Sequence, residues 1–123
     1  MPDPREVGFV DLIWLLEMTH QQYLESFRGT AVRRAKHWML QRNAAVALGN
    51  VGDVDMLPAL NRALTTNPHP IVRGHAAWAI GEIGRRSEDA SAKSLLAGAL
   101  RTETDDLARE EIAAALDVMS NCG

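Results

Sequence analysis

Apolar residues recur along this chain with the spacing of a helix surface. Leu40, Ala44, Ala47, Leu48 and Val51 stand at i, i+4, i+7, i+8 and i+11, which is one face of an α-helix. The same face returns as Val72, Ala76, Ala79, Ile80 and Ile83, and again as Ala108, Ile112, Ala115, Leu116 and Met119. Alanines alternating with larger aliphatics let neighbouring helices approach closely. No segment shows a convincing strand pattern, so the chain is predicted to be all-α with about seven helices.

The pattern is also periodic at a longer range. "NAAVALGNVG" at 43–52 realigns with "HAAWAIGEIG" at 75–84 at an offset of 32, and "EIAAALDVM" at 111–119 follows 36 residues later. Leu60 and Leu64 find their counterparts in Leu96 and Leu100 at that second offset. Repeats of 32 to 36 residues, each a pair of helices unable to bury its apolar face alone, specify a stacked α-solenoid of the HEAT class. The breaks fit. Gly49 and Gly81 are expected at helix C-caps, where a left-handed backbone is needed. Asp53 is an N-cap for the helix in "DMLPALNRAL", and Pro68 and Pro70 separate two helices. Thr19 and Gln22 have capping-box spacing. The expected organisation is one domain over 1–123, with capping helices at 1–27 and repeat units at 28–53, 54–84 and 85–119.

Composition changes this picture little, but charge does. The net charge of −3 hides a segregation: residues 26–75 hold seven Lys/Arg against two acids, +5, leaving −8 for the rest. Arg28, Arg33, Arg34, Lys36 and Arg42 fall within fifteen residues without one acid. Overall acidity argues against general nucleic-acid affinity, yet a segregated patch attracts phosphate locally. The longest apolar run, 12–16, is far short of a membrane span, and the first residues lack a signal-peptide core. A single cysteine, Cys122, builds no disulfide framework, zinc site or iron–sulfur cluster, and a cytoplasmic setting is expected. Gly-rich phosphate loops, paired histidines at i, i+4 and nucleophile elbows are all missing. The acids at 103–111 read as capping electrostatics at a loop and helix start.

"SFRGTAVRRAKHWMLQRNAAVALGNVGD" followed by "NPHPIVRGHAAWAIGEIG" resembles the C-terminal HEAT-like region of epoxyqueuosine reductase. The residues that carry the resemblance are Phe27, Gly29-Thr30, Arg33-Arg34-Ala35, Arg42-Asn43-Ala44, Gly49-Asn50, Pro70, Val72-Arg73 and His75 to Ala79, within roughly residues 10–85. The resemblance implies a role in the last step of queuosine synthesis on tRNA. The family enzyme uses a cobalamin and two iron–sulfur clusters held by an upstream, cysteine-rich catalytic region, and this chain departs from it in having one cysteine. It is therefore expected to be the non-catalytic module that helps hold the tRNA anticodon arm, partnered by the upstream catalytic domain, with no cofactor or metal of its own.

Candidate contacts follow from both readings. Arg33, Lys36 and His37 share a side if this stretch is helical, with Arg34 beside it. Such a cluster needs water or an anionic partner, and with Arg28 and Arg42 it suits RNA phosphates; the alternative is a solvated helix face. Asn43, His75 and Trp78 lie off the apolar face, where Trp78 either stacks on a base or ribose or caps the seam between repeats. Arg73 joins the candidates but equally suits a structural ladder to a neighbouring loop. Arg42 is offset by one from that ladder place, whose true equivalent is Gln41. Trp38 either seals the solenoid or sits beside RNA, and Trp14 is expected to pack a capping helix. Two rival readings remain: a protein–protein scaffold, which predicts salt-tolerant binding, and a bilin-lyase-like HEAT protein, which the "FRGT" and "RNAA" elements do not support.

Overall fold

The computed structural model describes residues 9–28 and 36–121 of the chain. Among them run seven α-helices and no strand: α1 (Phe9–Glu17), α2 (His20–Ser26), α3 (His37–Val51), α4 (Leu57–Thr66), α5 (Pro70–Ser87), α6 (Ala90–Thr102) and α7 (Asp106–Asn121), with a 3-10 turn at Val54–Met56 before α4. α5 lies between α3 and α7, with α4 and α6 packed behind, and α1 closes the stack against α3 and α4.

Local chemistry sets the helix starts. Thr19 and Gln22 form the reciprocal capping box that opens α2. Asp53 accepts from the Asp55 amide at the 3-10 turn, and His69 caps α5 through Nδ1 with Pro70 in the first turn. The periodic faces of α5 and α7 are buried as expected: Val72, Ala76, Ala79, Ile80, Ile83 and Ile112 are fully enclosed, while Leu116 and Met119 pack at the margin.

The first copy differs. α3 buries Gln41, Ala44, Ala45, Leu48 and Gly49, whereas Val51 is 63% exposed. The buried face is turned by about one residue from the expected one, although α3, like α5, has a helix on either side. Gly49 and Gly81 are not C-caps either: both sit inside helices, and Glu88 alone among non-glycine described residues has a positive φ. Their role is close approach. A Cβ on Gly49 would fall 2.5 Å from Trp78 Cζ3 and 2.9 Å from Ala79 Cα, and one on Gly81 would fall 3.0 Å from Ala115 Cβ. The equivalent residue of α7 is Asp117, exposed where no described helix packs against it.

The change of repeat length has a local cause. α5 ends four residues beyond the place equivalent to the end of α3, about one helical turn. An added turn keeps the facing residues in register, so the stack continues undisturbed. Trp14, expected as capping packing, is 45% exposed. No helix among the described residues is long and apolar enough to cross a membrane.

Candidate nucleic-acid interface

The loop edge of the solenoid is tied by a ladder of side chains from one repeated position. Gln41, Arg73 and Arg109 are equivalent in α3, α5 and α7. Gln41 Nε2 donates to the Leu16 and Met18 carbonyls (2.8 and 3.2 Å), and its Oε1 accepts from Asn67 Nδ2 at 2.9 Å. Arg73 reaches the Asn67 carbonyl at 2.9 Å and grips Glu103 with two bonds of 2.7 and 2.9 Å. Arg109 donates to the Glu103 and Leu100 carbonyls, both at 2.8 Å. The Arg73 guanidinium holds the Glu103 carboxyl below the usual carboxylate range, and the bond to Glu103 raises Arg73. Bidentate charge-assisted bonds of this kind hold geometry strongly. Arg73 is thus committed to the ladder, as the structural alternative had it.

The remaining described basic candidates, Arg28, Lys36 and Arg42, stand at the opposite end of the stack from the acids of α7. Arg28 is exposed at the end of α2. Arg33 and Arg34 lie outside the described residues. Lys36 is the extended N-cap residue of α3, so the helical register that would align it with His37 does not extend to it. Arg42 lies over the Trp38 ring, its Cζ 5.5 Å from the centroid, and donates to Asn43 Oδ1. Neither Lys36 nor Arg42 has a carboxylate partner among the described residues. Asn43, His75 and Trp78 fall on the outer faces of α3 and α5; His75 Nδ1 donates to the Ile71 carbonyl at 2.8 Å, and Trp78 is half-buried over Gly49.

Beside Lys36 opens a cleft of about 810 Å³, between the α1–α2 corner, the start of α3 and the α4–α5 loop. Trp38 stacks on His69 with centroids 4.6 Å apart and planes 21° apart. His37 stacks on Tyr23 at 5.1 Å and 10°, and His20 stands 5.7 Å from His37. Burial lowers the His37 pKa, repulsion from His20 adds to this, and a backbone hydrogen bond at Met18 opposes it. His37 Nε2 is buried with no hydrogen-bond partner among the described residues. Among the described residues, the one carboxylate lining the cleft, Glu17, is held by Arg62 at 2.8 Å. The sequence patterns did not single out His20, Tyr23 or His69 for this site. Their only signals were a capping box and the "NPHP" step, because the contacts that assemble them join separate helices, as far as 31 positions apart for Trp38 and His69.

The donor set does not fit an iron–sulfur cluster, which takes four thiolates where this chain has one cysteine. Among the described residues, no three His, Cys, Asp or Glu side chains come together as metal ligands.

The family model of HEAT repeats matches residues 26–117. Over 122 residues the chain is 34% identical to epoxyqueuosine reductase of Bacillus subtilis (strain 168), covering 99% of this chain and 30% of that protein. Epoxyqueuosine reductase of Listeria monocytogenes serovar 1/2a is 33% identical over 113 residues, 92% of this chain and 28% of the relative. A crystal structure of epoxyqueuosine reductase with a tRNA-Tyr epoxyqueuosine-modified tRNA stem loop superposes with a TM-score of 0.80 at 33% identity, over 89% of this chain and 28% of that one. The chain thus spans less than a third of the length of these relatives. The resemblance drawn from the motifs holds across nearly the whole chain, beyond the residues that first carried it.

Proposed function

The chain belongs to the HEAT-repeat family, and from that membership we propose that it is the tRNA-contacting, non-catalytic HEAT-like module of an epoxyqueuosine reductase. The observation that carries this reading is the match, over 89% of the chain, to a reductase structure holding a tRNA stem loop. The segregated charge supports it: Lys36 and Arg42, without carboxylate partners among the described residues, stand at one end and the acids of α7 at the other. In this reading the anticodon arm lies over the start of α3, its phosphates meeting Arg28, Lys36 and Arg42, with Asn43, His75 and Trp78 adjoining. Arg33 and Arg34 add to the same cluster by sequence. Cobalamin, the two clusters and the reductive chemistry belong to a cysteine-rich catalytic domain, which is the module's other partner, in the cytoplasm.

A titration against a tRNA anticodon stem-loop at low and near-physiological salt tests this. Binding is expected to weaken steeply with salt, since it arises from counterion release. A Lys36→Glu, Arg42→Glu variant should bind far more weakly, with the salt slope reduced by about one for each phosphate no longer neutralised. Salt-insensitive binding, or a variant that binds as well as the parent, would overturn the reading.

A further inference from the structure

The cleft beside Lys36 has features that a phosphate-gripping surface does not need. Two ring pairs line it, Trp38 on His69 and His37 on Tyr23, with His20 alongside. Its floor is the buried Gln41–Asn67 amide pair, which is hydrogen-bonded within the fold. Its volume of about 810 Å³ lies in the range of roughly 300–1,000 Å³ usual for small-molecule sites.

The polar groups narrow the chemistry of the occupant. His69 Nδ1 accepts from the Ile71 amide, so the neutral ring carries its proton on Nε2 and offers a donor. His37 Nε2 is buried and lacks a partner among the described residues, an arrangement that costs free energy until a ligand hydrogen bonds to it. Lys36 supplies a cation at the rim, while Glu17 is neutralised by Arg62. A simple anion would leave the rings unused, and an aliphatic chain would leave His37 Nε2 without a hydrogen-bond partner. A planar heteroaromatic ring with N–H groups, attached to an anion, uses all of them.

We infer that this cleft takes one unpaired nucleotide of an RNA strand, its base against the ring-lined walls and its phosphate at Lys36. The inference rests on the RNA reading above. It requires a single-stranded nucleotide, because bases inside an A-form helix keep their faces stacked. The contact is sequence-tolerant, since every base has a face to stack. Within a stem-loop, the loop nucleotides are the ones able to enter while the stem phosphates meet the basic edge.

The four histidines provide the test, because three line the cleft and His75 does not. A short unpaired ribo-oligonucleotide should shift the imidazole resonances of His20, His37 and His69 and the indole N–H of Trp38, leaving that of Trp14 in place. The same sugar–phosphate strand without bases should bind about tenfold more weakly, as should Trp38→Leu toward the intact strand. His20→Ala, at an exposed position, should also weaken binding without touching the core. Equal affinity for intact and baseless strands, or binding that leaves the cleft resonances unmoved, would overturn the inference. If stem-loop binding is then still lost in Lys36→Glu, Arg42→Glu, the RNA reading stands without the cleft. Absence of all binding at low salt would overturn both.

Discussion

Replacing Arg73 by alanine removes the middle rung of the loop ladder. The side chains of Arg73 and Glu103 are 17% and 5% exposed, so the variant strands a nearly buried carboxylate and leaves the Asn67 carbonyl without its Arg73 donor. Removing one partner of a buried pair costs about 3–5 kcal/mol, and partial solvent access to this pair lowers the expectation to about 2–4 kcal/mol. The loss carries a pH signature. In the folded parent Glu103 has a depressed pKa, so its contribution is fully present above the ordinary value of 4.5 and is lost as pH falls through the folded value. Urea unfolding followed by helical circular dichroism, at pH 7 and in steps below pH 4.5, measures the difference between parent and variant. That difference should be full at pH 7 and shrink on acidification. A cost below about 0.5 kcal/mol at pH 7, the level of an exposed pair, or a difference independent of pH, would refute the ladder as described.

Other outcomes follow from the same packing. Gly49→Ala places a methyl against Trp78 and the Ala79 backbone and should destabilise by about 1–3 kcal/mol, whereas Gly98→Ala, open on all sides within α6, should stabilise by about 0.5–1 kcal/mol in the same unfolding assay. Gln41→Leu leaves the Leu16 and Met18 carbonyls and the Asn67 amide without their buried partner and should cost about 2–4 kcal/mol. His37 has a lowered pKa when folded, so the folded state binds fewer protons than the unfolded chain below pH 6.5. Stability should therefore fall on acidification through and below that value, and His37→Phe should flatten that part of the profile.

The repeat was legible in the sequence because it rests on local periodicity. Apolar spacing placed the faces of α5 and α7, the capping residues Thr19, Asp53 and Pro70 placed helix starts, and the offset of Gln41 from Arg42 separated the ladder from the free cation. Each of these depends on residues a few positions apart, or on equivalence between copies. What the sequence could not decide was which of two neighbours a helix turns toward. Val51 is exposed because α3 buries the face carrying Gln41, Ala45 and Gly49 instead, Trp14 stands on α1, which closes the stack, and Gly49 and Gly81 are spacers between helices rather than turns within the chain. The bond from Arg73 to Glu103 and the stack of Trp38 on His69 join residues 30 and 31 positions apart. Burial and directional bonding between separate helices depend on their relative placement, and only the folded stack supplies it.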